Sequence, residues 1–409
     1  MYSLAIYLYM WGVRLASCFN RKARLMVRGH RNTWRILRSQ IRPDARYVWF
    51  HAASLGEFEQ GRPLMELLRR RHPEKKILLT FFSPSGYEVR KDYAGADVVC
   101  YLPFDTPLNA RRFIRMARPE AAFFIKYEFW CNYISRLHRS GIPLYSVSSI
   151  FRPEQVFFRS YGRRYARVLQ HMTHLFVQNE TSRQLLADRL GITHTTVVGD
   201  TRMDRVVAIM EQARALPEVE RLMQGAACVM VAGSTWPPDE ELIISYFNRH
   251  PGLKLILAPH VVTAEHLAQI EARLERPAVR YSQLAAQPDG ATADCLIVDT
   301  YGLLSALYRY GRLAYVGGGF GVGIHNVPEA AVYGVPVIIG PNHYKFMEAN
   351  DLLAEGGCFE VRNAADFNTT VDHLLSSPEA LRRAGEASSA YIRRHAGATA
   401  RIYQAVYGH

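Results

Sequence analysis

A glutamate that follows a short apolar segment could serve as a general base. Residues 47–53 are typical of a strand, and a tight turn of Ser54, Leu55 and Gly56 leads to Glu57, which opens a helix. In a doubly wound sheet, ligands bind outside the carboxyl ends of the strands, so this carboxyl would face the binding region. Gly56 would let a ligand approach the backbone closely. A first-turn glutamate that only stabilises the helix dipole explains the pattern equally well.

A second acidic group, Glu128, lies just after another apolar run. The strand predicted over 120–125 is followed by Lys126, Glu128, Trp130 and Asn132. A cation, a carboxylate, an indole and an amide at one strand end are difficult to explain as core, so a functional role is favoured. The alternative is a solvated pair of Lys126 and Glu128, with Trp130 covering the core.

Two further segments contain groups that bind anions. After the strand predicted over 76–82, Ser83 and Ser85 stand at a helix start, where hydroxyl and N–H groups suit a phosphate or a sugar hydroxyl. Simple capping of that helix by a serine is the alternative. Later in the chain another strand leads into Ser234 and Thr235, again just before a helix. This second segment predicts an anion site without the lysine of a Walker loop.

The glycine-rich segment over residues 315–341 is the strongest signal of a binding site. Its glycines let backbone N–H groups approach a phosphate without an intervening Cβ. They are Gly317, Gly318, Gly319, Gly321 and Gly323. Asn326 is predicted to cap the next helix, and Glu329 in its first turn could accept from the hydroxyls of a ribose. The plainer alternative is a permissive loop before an ordinary capped helix.

These candidate residues need a scaffold, and the sequence pattern predicts one. Short apolar runs alternate with stretches of helical length, which indicates βαβ units and parallel sheets. The pattern ends near residue 199, passes through a more polar stretch over 200–222 and then begins again. The predicted strands are 47–53, 76–82, 97–102, 120–125, 143–148, 174–178, 195–199, 227–232, 254–258, 295–299, 312–316, 335–339 and 357–361. The fold class is therefore α/β, with two doubly wound domains facing a cleft.

The length supports two domains. A chain of 409 residues, of which 49% are hydrophobic, has enough apolar material for two cores. We expect a first domain over 43–205 and a second domain over 206–385. Residues 1–42 form a separate N-terminal segment. Residues 386–409 form a C-terminal segment that contains most of the last helix, which is predicted over 378–406 and crosses back to the first domain.

The N-terminal segment indicates contact with a membrane. Residues 2–19 are apolar and aromatic apart from Arg14, and eight basic residues follow before the first acidic one, Asp44. An apolar helix followed by cations is typical of a helix lodged at an anionic leaflet. A signal peptide and an ordinary amphipathic first helix are the alternatives. The net charge of +13 also favours an anionic partner.

Several classes of site are not indicated by the sequence. The six cysteines are scattered, with no pair at zinc spacing, which favours a reducing compartment and no metal site. There is no acidic pair for a metal–nucleotide complex, no serine-hydrolase elbow and no RNA-recognition pattern. We therefore expect neither a cofactor nor a nucleic-acid partner.

Taken in order, the motifs resemble those of the 3-deoxy-D-manno-octulosonic acid (Kdo) transferases of lipopolysaccharide biosynthesis. The matching segments are Ala53-Ser54-Leu55-Gly56-Glu57, Lys126-Tyr127-Glu128-Phe129-Trp130-Cys131-Asn132, Gly233-Ser234-Thr235-Trp236-Pro237 and Gly323-Ile324-His325-Asn326-Val327-Pro328-Glu329, followed by Pro336-Val337 and Gly340-Pro341. The sequence departs from the family at Lys126, where a glutamate is usual, at Cys131, where a proline is usual, and at Trp236, where a histidine is usual. His260 lies in a segment that matches only partly.

The resemblance implies a GT-B fold and an inverting transfer of Kdo from CMP-Kdo to a hydroxyl of the lipid A precursor (lipid IVA). It implies that Glu57 is the base and that Glu128 positions a substrate. It places Ser234, Thr235, Gly318 and Gly319 at the phosphate, Asn326 and Glu329 at the nucleoside, and His260 also at the donor. The residues expected at the acceptor are Ser54, Gly56, Ser83, Ser85 and Lys126.

The same resemblance implies a location and leaves one alternative open. The chain is expected at the cytoplasmic face of the bacterial inner membrane, held by an N-terminal anchor at the anionic surface that contains its lipid substrate. The alternative is another GT-B enzyme that uses a UDP-sugar, either a lipid glycosyltransferase or an epimerase.

Overall fold

The computed structural model describes residues 2–284 and 292–408, and it divides the chain into two compact units. One unit consists of Met1–Arg205 with Ala396–His409, and the other of Val206–His395. The return to the first unit thus comes at residue 396, ten residues after the boundary expected from the sequence.

The first unit is built on a parallel sheet with seven strands among the described residues. They are β1 (Tyr47–Ala52), β2 (Lys76–Phe81), β3 (Val98–Tyr101), β4 (Pro119–Ile125), β5 (Leu144–Ser149), β6 (His174–Val177) and β7 (Thr195–Val197). Their order is β3-β2-β1-β4-β5-β6-β7. All six residues of β1 are buried, with Trp49 in one hydrophobic core and Phe50 in the other. Both faces are therefore covered, as expected for a doubly wound sheet.

Helices cover both faces of this sheet and extend to the N-terminus. They are α1 (Tyr2–Ala16), α2 (Arg21–Gln40), α3 (Leu55–Arg71), α4 (Pro84–Arg90), α5 (Pro107–Ala117), α6 (Cys131–Arg139), α7 (Arg163–Ala166), α8 (Glu180–Leu190) and α9 (Thr201–Gln212), with short 3-10 helices at Val156–Phe158, Ser160–Gly162 and Arg167–His171. The segment from 200 to 222, expected to be a polar hinge stretch, is mostly helical.

The second unit repeats the plan, again with seven parallel strands in the part of the chain that is described. They are β8 (Cys228–Thr235), β9 (Leu253–Pro259), β10 (Ala278–Arg280), β11 (Cys295–Ile297), β12 (Leu313–Val316), β13 (Val337–Ile339) and β14 (Cys358–Glu360). Their order is β10-β11-β9-β8-β12-β13-β14. The sequence pattern missed β10, a three-residue strand whose side chains are all at least partly exposed and show no apolar alternation.

The helices of the second unit are α10 (Pro217–Met223), α11 (Pro237–Arg249), α12 (Ala264–Arg273), α13 (Tyr281–Leu284), α14 (Leu304–Leu307), α15 (Val327–Ala331), α16 (Met347–Ala354), α17 (Ala364–Ser376) and α18 (Pro378–His395), with a 3-10 helix at Tyr308–Tyr310. The last helix, α19 (Ala398–Tyr407), packs in the first unit against α3. The single long helix expected over 378–406 is therefore two helices, separated by Gly397 at φ +90°.

Each sheet has one point where the strand order reverses. In the first sheet β2 and β3 extend to one side of β1, while β4 to β7 extend to the other. In the second sheet β9 lies on one side of β8, and β12 lies on the other. Open α/β sheets bind their ligands at such switch points, outside the carboxyl ends of the strands. The fold therefore predicts ligand-binding sites at the ends of β1 and β4 in the first sheet, and at the ends of β8 and β12 in the second.

The N-terminal helices differ in how they pack. Helix α2 buries Met26, His30, Thr33 and Leu37, and it contacts β3. Helix α1 has 15 residues, none of them buried, and it includes Arg14. Among the described residues no helix is long and apolar enough to cross a membrane. The localisation predicted from the sequence, an N-terminal anchor at the cytoplasmic face of the inner membrane, is therefore wrong.

Candidate functional site

Glu57 lies at the switch point of the first sheet. Strand β1 ends at Ala52, and α3 begins at Leu55, so Ser54 is the N-cap and Gly56 belongs to the helix rather than to the turn expected from the sequence. The Ser54 hydroxyl accepts from the Glu57 N–H. The Glu57 carboxylate turns back and accepts from the Ala53 N–H. This capping arrangement fixes the position of the carboxyl.

The surroundings of Glu57 make its carboxyl a good proton acceptor near neutral pH. Burial and the negative charge of Glu128 raise the pKa of Glu57 from 4.5 to about 8. The backbone N–H groups of Ala53 and Ser54 and the charge of Lys126 act in the opposite direction. A general base works best when its pKa lies near the operating pH.

Glu128 is held in the segment that follows β4, and its partners are the buried ring of His51 and the partly buried ring of Trp130. His51 Nε2 lies 2.9 Å from Glu128 Oε2, and the Trp130 indole N–H donates to the same oxygen at 2.6 Å. Glu128 is buried, so the solvated pair with Lys126 that the sequence left open does not describe it. The sequence analysis missed His51, although a polar residue inside an otherwise apolar strand was a visible signal.

Lys126 lies directly after β4 in an unusual conformation. Its φ is +62°, in the left-handed region that residues with a side chain rarely adopt. The Val147 carbonyl accepts from its N–H, and its carbonyl accepts from the Ser149 hydroxyl, so β5 fixes this backbone. Backbone strain of this kind is concentrated at functional sites.

The serines after β2 bond to each other. Ser83 caps α4 by accepting from the Ser85 N–H, and the two hydroxyls lie 2.5 Å apart. This is the capping arrangement that the sequence left as an alternative. By contrast, a side chain at Gly56 would meet no atom within 4 Å, so the surface there is open.

The switch point of the second sheet brings together the end of β8 and the loop after β12. Ser234 is only partly buried and has φ +54°, a second strained position at a strand end. Thr235 is buried, and its hydroxyl donates to Glu240 at 3.1 Å. Of this pair, Ser234 is the accessible residue.

The glycine-rich loop is shaped by Asp239, which the sequence analysis did not single out. Its carboxylate accepts from the N–H groups of Trp236 and Gly318, both at 2.9 Å. A Cβ at Gly318 would lie 2.4 Å from the Gly323 carbonyl oxygen, and one at Gly319 would lie 2.6 Å from Gly340 Cα. Glycine is therefore required at 318 and 319 by close backbone packing.

Asn326 and Glu329 form a polar cluster beside this loop. Asn326 Nδ2 donates to Glu329 at 2.6 Å, and the Ser305 hydroxyl donates to the other carboxylate oxygen at 2.6 Å. The side chain of Asn326 does not cap α15, contrary to the expectation from the sequence. Its Oδ1 is buried and has no hydrogen-bond partner within the described residues. A buried acceptor of this kind could accept a hydrogen bond from a bound molecule.

Three rings lie in a stack at the same edge of the second sheet. The ring centroids of Trp236 and His260 are 4.8 Å apart, and those of His260 and His325 are 4.5 Å apart. The Trp236 indole N–H donates to His325 Nε2 at 3.2 Å. Burial and the neighbouring His260 lower the pKa of His325. This stack places His260 beside the glycine loop and accommodates Trp236, the residue that departs from the family pattern.

Comparison with known proteins agrees with this architecture. The family model described as 3-deoxy-D-manno-octulosonic-acid transferase (kdotransferase) matches residues 22–205. The 3-deoxy-D-manno-octulosonic acid transferase of Bordetella pertussis is 28% identical over 386 residues, covering 89% of this chain and 87% of that protein. The enzyme of the same name from Aquifex aeolicus is 27% identical over 339 residues, covering 80% and 86%.

Solved structures show the same fold at low sequence identity. The UDP-GlcNAc 2-epimerase from Neisseria meningitidis, bound to UDP-GlcNAc, aligns with a TM-score of 0.63 at 13% identity, covering 89% of this chain and all of that chain (100%). Acinetobacter baumannii MurG aligns with a TM-score of 0.54 at 12% identity, with coverages of 89% and 100%. The likeness shows the fold alone.

Two doubly wound units of this kind have the GT-B fold, and the curated relatives are named as Kdo transferases, which are glycosyltransferases. The chain is similar over most of its length to Kdo transferases, whose family model matches just under half of it, and a role in lipopolysaccharide biosynthesis follows from this similarity. The family resemblance found in the sequence motifs is confirmed.

Proposed function

We propose that this enzyme transfers Kdo from CMP-Kdo to a hydroxyl of the lipid A precursor (lipid IVA) with inversion, and that Glu57 is the general base. The observation that carries the proposal is the Glu57 carboxyl at the end of β1, whose pKa is raised to about 8. A carboxyl with this pKa can take a proton from a sugar hydroxyl as the hydroxyl attacks.

The chemistry is a single displacement. The acceptor oxygen forms a bond to the anomeric carbon of Kdo, and the bond from that carbon to the CMP phosphate oxygen breaks. The acceptor proton moves to Glu57, and CMP leaves with the electron pair. Attack from the face opposite the leaving group inverts the anomeric centre. Lys126, whose charge acts on Glu57, would bind an anionic group of the acceptor.

The second unit supplies groups for the donor. Asn326 Oδ1 lacks a partner and would accept from an N–H or hydroxyl of the nucleoside, while Glu329 would accept from the ribose hydroxyls. We assign the phosphate to Ser234 and Gly319, with His260 nearby. The Thr235 hydroxyl and the Gly318 N–H have internal partners, so these two residues shape the site instead.

A phosphorylated lipid acceptor requires contact with a lipid surface, and the first unit has one suited to it. Along α1 the exposed side chains Leu4, Leu8, Trp11 and Leu15 recur at helical spacing and form one apolar face. On α2 the exposed residues Arg24, Arg28, Arg31, Arg35 and Arg38 recur in the same way. Apolar side chains beside a line of cations suit the surface of an anionic bilayer, on which a helix lies without crossing it.

A chain of aromatic contacts links this lipid-facing region to the base. Tyr9 of α1 stacks on Phe82 with centroids 6.3 Å apart, and Phe82 contacts Trp130 at 4.7 Å. Trp130 in turn bonds to Glu128. An acceptor whose acyl chains remain in the bilayer would therefore have its sugar close to Glu57.

The donor and acceptor are tested together by measuring CMP release from CMP-Kdo with and without lipid IVA, and the mass of the lipid. We expect CMP release that depends on the acceptor, with a mass increase of one or more Kdo units. Retention of configuration in the product would contradict the single displacement. Turnover of a UDP-sugar in place of CMP-Kdo would refute the donor assignment and favour the wider GT-B group.

The lipid surface is tested by sedimentation with vesicles. Replacing Arg28, Arg31 and Arg35 by glutamine should weaken binding to vesicles with anionic lipid by about 100-fold, because each cation near such a surface contributes about 1 kcal/mol. The matched control replaces three exposed arginines of the second unit, Arg214, Arg221 and Arg273. Equal losses in both triple variants would contradict a specific lipid-binding face.

A further inference from the structure

A fully buried histidine in the first sheet contacts Glu128, one of the two carboxylates described above. His51 lies on β1 with none of its surface exposed. One ring nitrogen, Nε2, faces Glu128 Oε2 at 2.9 Å, and the other, Nδ1, lies 2.9 Å from the Thr80 hydroxyl on β2. Behind Thr80, the Trp49 indole nitrogen lies 2.8 Å from the same hydroxyl. Four side chains thus form one buried hydrogen-bonded line that ends at Glu128.

The chemistry of the groups gives this line a direction. An indole N–H can only donate, so the Thr80 oxygen accepts from Trp49 and keeps its own hydrogen to donate. The nearer acceptor for that hydrogen is His51 Nδ1 at 2.9 Å, because the Phe50 carbonyl lies at 3.3 Å. Since Nδ1 accepts, the hydrogen of the neutral ring is on Nε2 and points at Glu128.

Two neighbouring contacts do not reverse this direction. The Thr80 carbonyl oxygen lies 3.2 Å from His51 Nδ1, farther than the hydroxyl does. The Trp130 indole nitrogen lies 3.1 Å from His51 Nε2 but 2.6 Å from Glu128 Oε2, so the carboxylate is its nearer acceptor. Both N–H groups, of His51 and of Trp130, therefore converge on one oxygen of Glu128.

We propose that Trp49, Thr80 and His51 are positioning residues that fix the charged Glu128 carboxylate beside Glu57 and so set the strength of the catalytic base. The inference rests on the proposed role of Glu57. The His51 and Trp130 N–H groups bond to one oxygen of the Glu128 carboxylate and so hold that carboxylate in place beside Glu57. That charge, together with burial, is what raises the pKa of Glu57, against the opposing charge of Lys126 from the same segment and the N–H groups of Ala53 and Ser54.

The consequence is a shift in the pH dependence of the reaction. If the Thr80 hydroxyl is removed, nothing fixes the hydrogen on His51 Nε2, and Glu128 loses a donor. The repulsion between the two carboxyls then weakens, and the pKa of Glu57 falls. The acidic limb of the rate profile would move to lower pH, while the maximal rate would fall because a weaker base accepts the proton.

The test compares Thr80→Val with Thr80→Ser by measuring kcat over pH 5–10 with both substrates saturating. For Thr80→Val we expect the midpoint of the acidic limb to fall by about 0.5–1 pH unit and the plateau to fall about 10-fold. Thr80→Ser keeps the hydroxyl and should restore the midpoint. The matched control is Thr33→Val, which removes a buried hydroxyl that donates to the Tyr101 carbonyl on the neighbouring strand β3 and is not part of this line.

A slower Thr80→Val enzyme with an unchanged midpoint would overturn the proposal, because a merely structural loss lowers the rate without moving the titration. An equal shift in Thr33→Val would overturn it as well. The ¹⁵N chemical shifts of the His51 ring give a readout that needs no turnover, and we expect hydrogen on Nε2. Hydrogen on Nδ1 in the unmodified protein would overturn the direction of the line. If the His51 ring carries its hydrogen on Nε2 but the enzyme does not use CMP-Kdo, only the proposed function would be refuted.

Discussion

The two switch points share a topology but use their polar groups in opposite ways. In the first unit the groups near Glu57 are bonded to one another, with Glu128 accepting from two ring N–H groups and Glu57 accepting from a backbone N–H. In the second unit a buried acceptor, Asn326 Oδ1, has no partner among the described residues. The first site is thus preorganised for reaction, while the second has a position that a ligand can complete.

The comparison shows that a location at the switch point of a sheet does not by itself determine whether a site suits catalysis or binding. Both sites have a residue with a side chain in the left-handed region at a strand end, Lys126 in one and Ser234 in the other. What differs is the electrostatics. Burial and the nearby second carboxylate raise the pKa of Glu57, which suits the proposed role of this group as a base. Glu329 has no second carboxylate described beside it and already accepts from Ser305 and Asn326, so it is better suited to binding a ligand.

The largest effect should come from removing the base. Glu57→Gln should lower kcat by about 100- to 10,000-fold, the range of general-base catalysis, because the amide cannot take the acceptor proton. Binding of CMP-Kdo, measured by calorimetry, should persist, since the donor groups are in the other unit. Glu66→Gln on the same helix, which only breaks an ion pair with Arg62, is the control. If Glu57→Gln kept more than a tenth of the original kcat, Glu57 would not be the base, and the contrast between a reacting site and a binding site would not hold.

A smaller effect is expected from the binding site of the second unit. Glu329→Ala should weaken CMP binding by about 10- to 100-fold, because a hydrogen bond to a charged group contributes about 1.5–3 kcal/mol. The kcat at saturating donor should change much less. Glu379→Ala, at an exposed position at the start of α18, is the control. An unchanged affinity would show that this carboxylate does not face the nucleotide.

The smallest effect concerns stability, and it sharpens the contrast in electrostatics. In the unfolded chain Glu57 ionises near 4.5, but in the folded protein it does so near 8. Its contribution to stability is therefore full below about pH 4.5 and is lost as the pH rises through 8. The Glu57→Gln variant has no ionisable group at this position. The difference between its melting temperature and that of the unmodified protein should therefore increase by a few degrees, in favour of the variant, from pH 5 to pH 9.

The control for this measurement is Glu180→Gln. Glu180 is exposed, and its pKa lies below its ordinary value because Arg183 bonds to it. Both groups stay charged over pH 6–9, so the difference from the unmodified protein should not change with pH in that range. A constant difference for Glu57→Gln as well would mean that Glu57 is already ionised at pH 6 in the folded protein.

The strands and the candidate motifs were largely predictable because both depend on local pattern. Buried parallel strands are continuous apolar runs, and all but one of the described strands lies on a predicted run. The exception, β10, is short and exposed. The cap at Ser83 was also readable, whereas the expected cap at Asn326 failed because its amide bonds to Glu329 instead. A side chain's choice among partners depends on what lies across the fold.

The family could be inferred from the sequence by itself, because its motifs are short segments at strand ends whose residue types are read directly. The tertiary structure decided which of those residues meet, since β1 and β4 are adjacent in the sheet but about 70 residues apart in the chain. It alone revealed the line from Trp49 to Glu128, and it alone raised the pKa of Glu57. The burial of a side chain and its distance from other charges are properties of the folded chain, and the spacing of residues in the sequence does not give them directly.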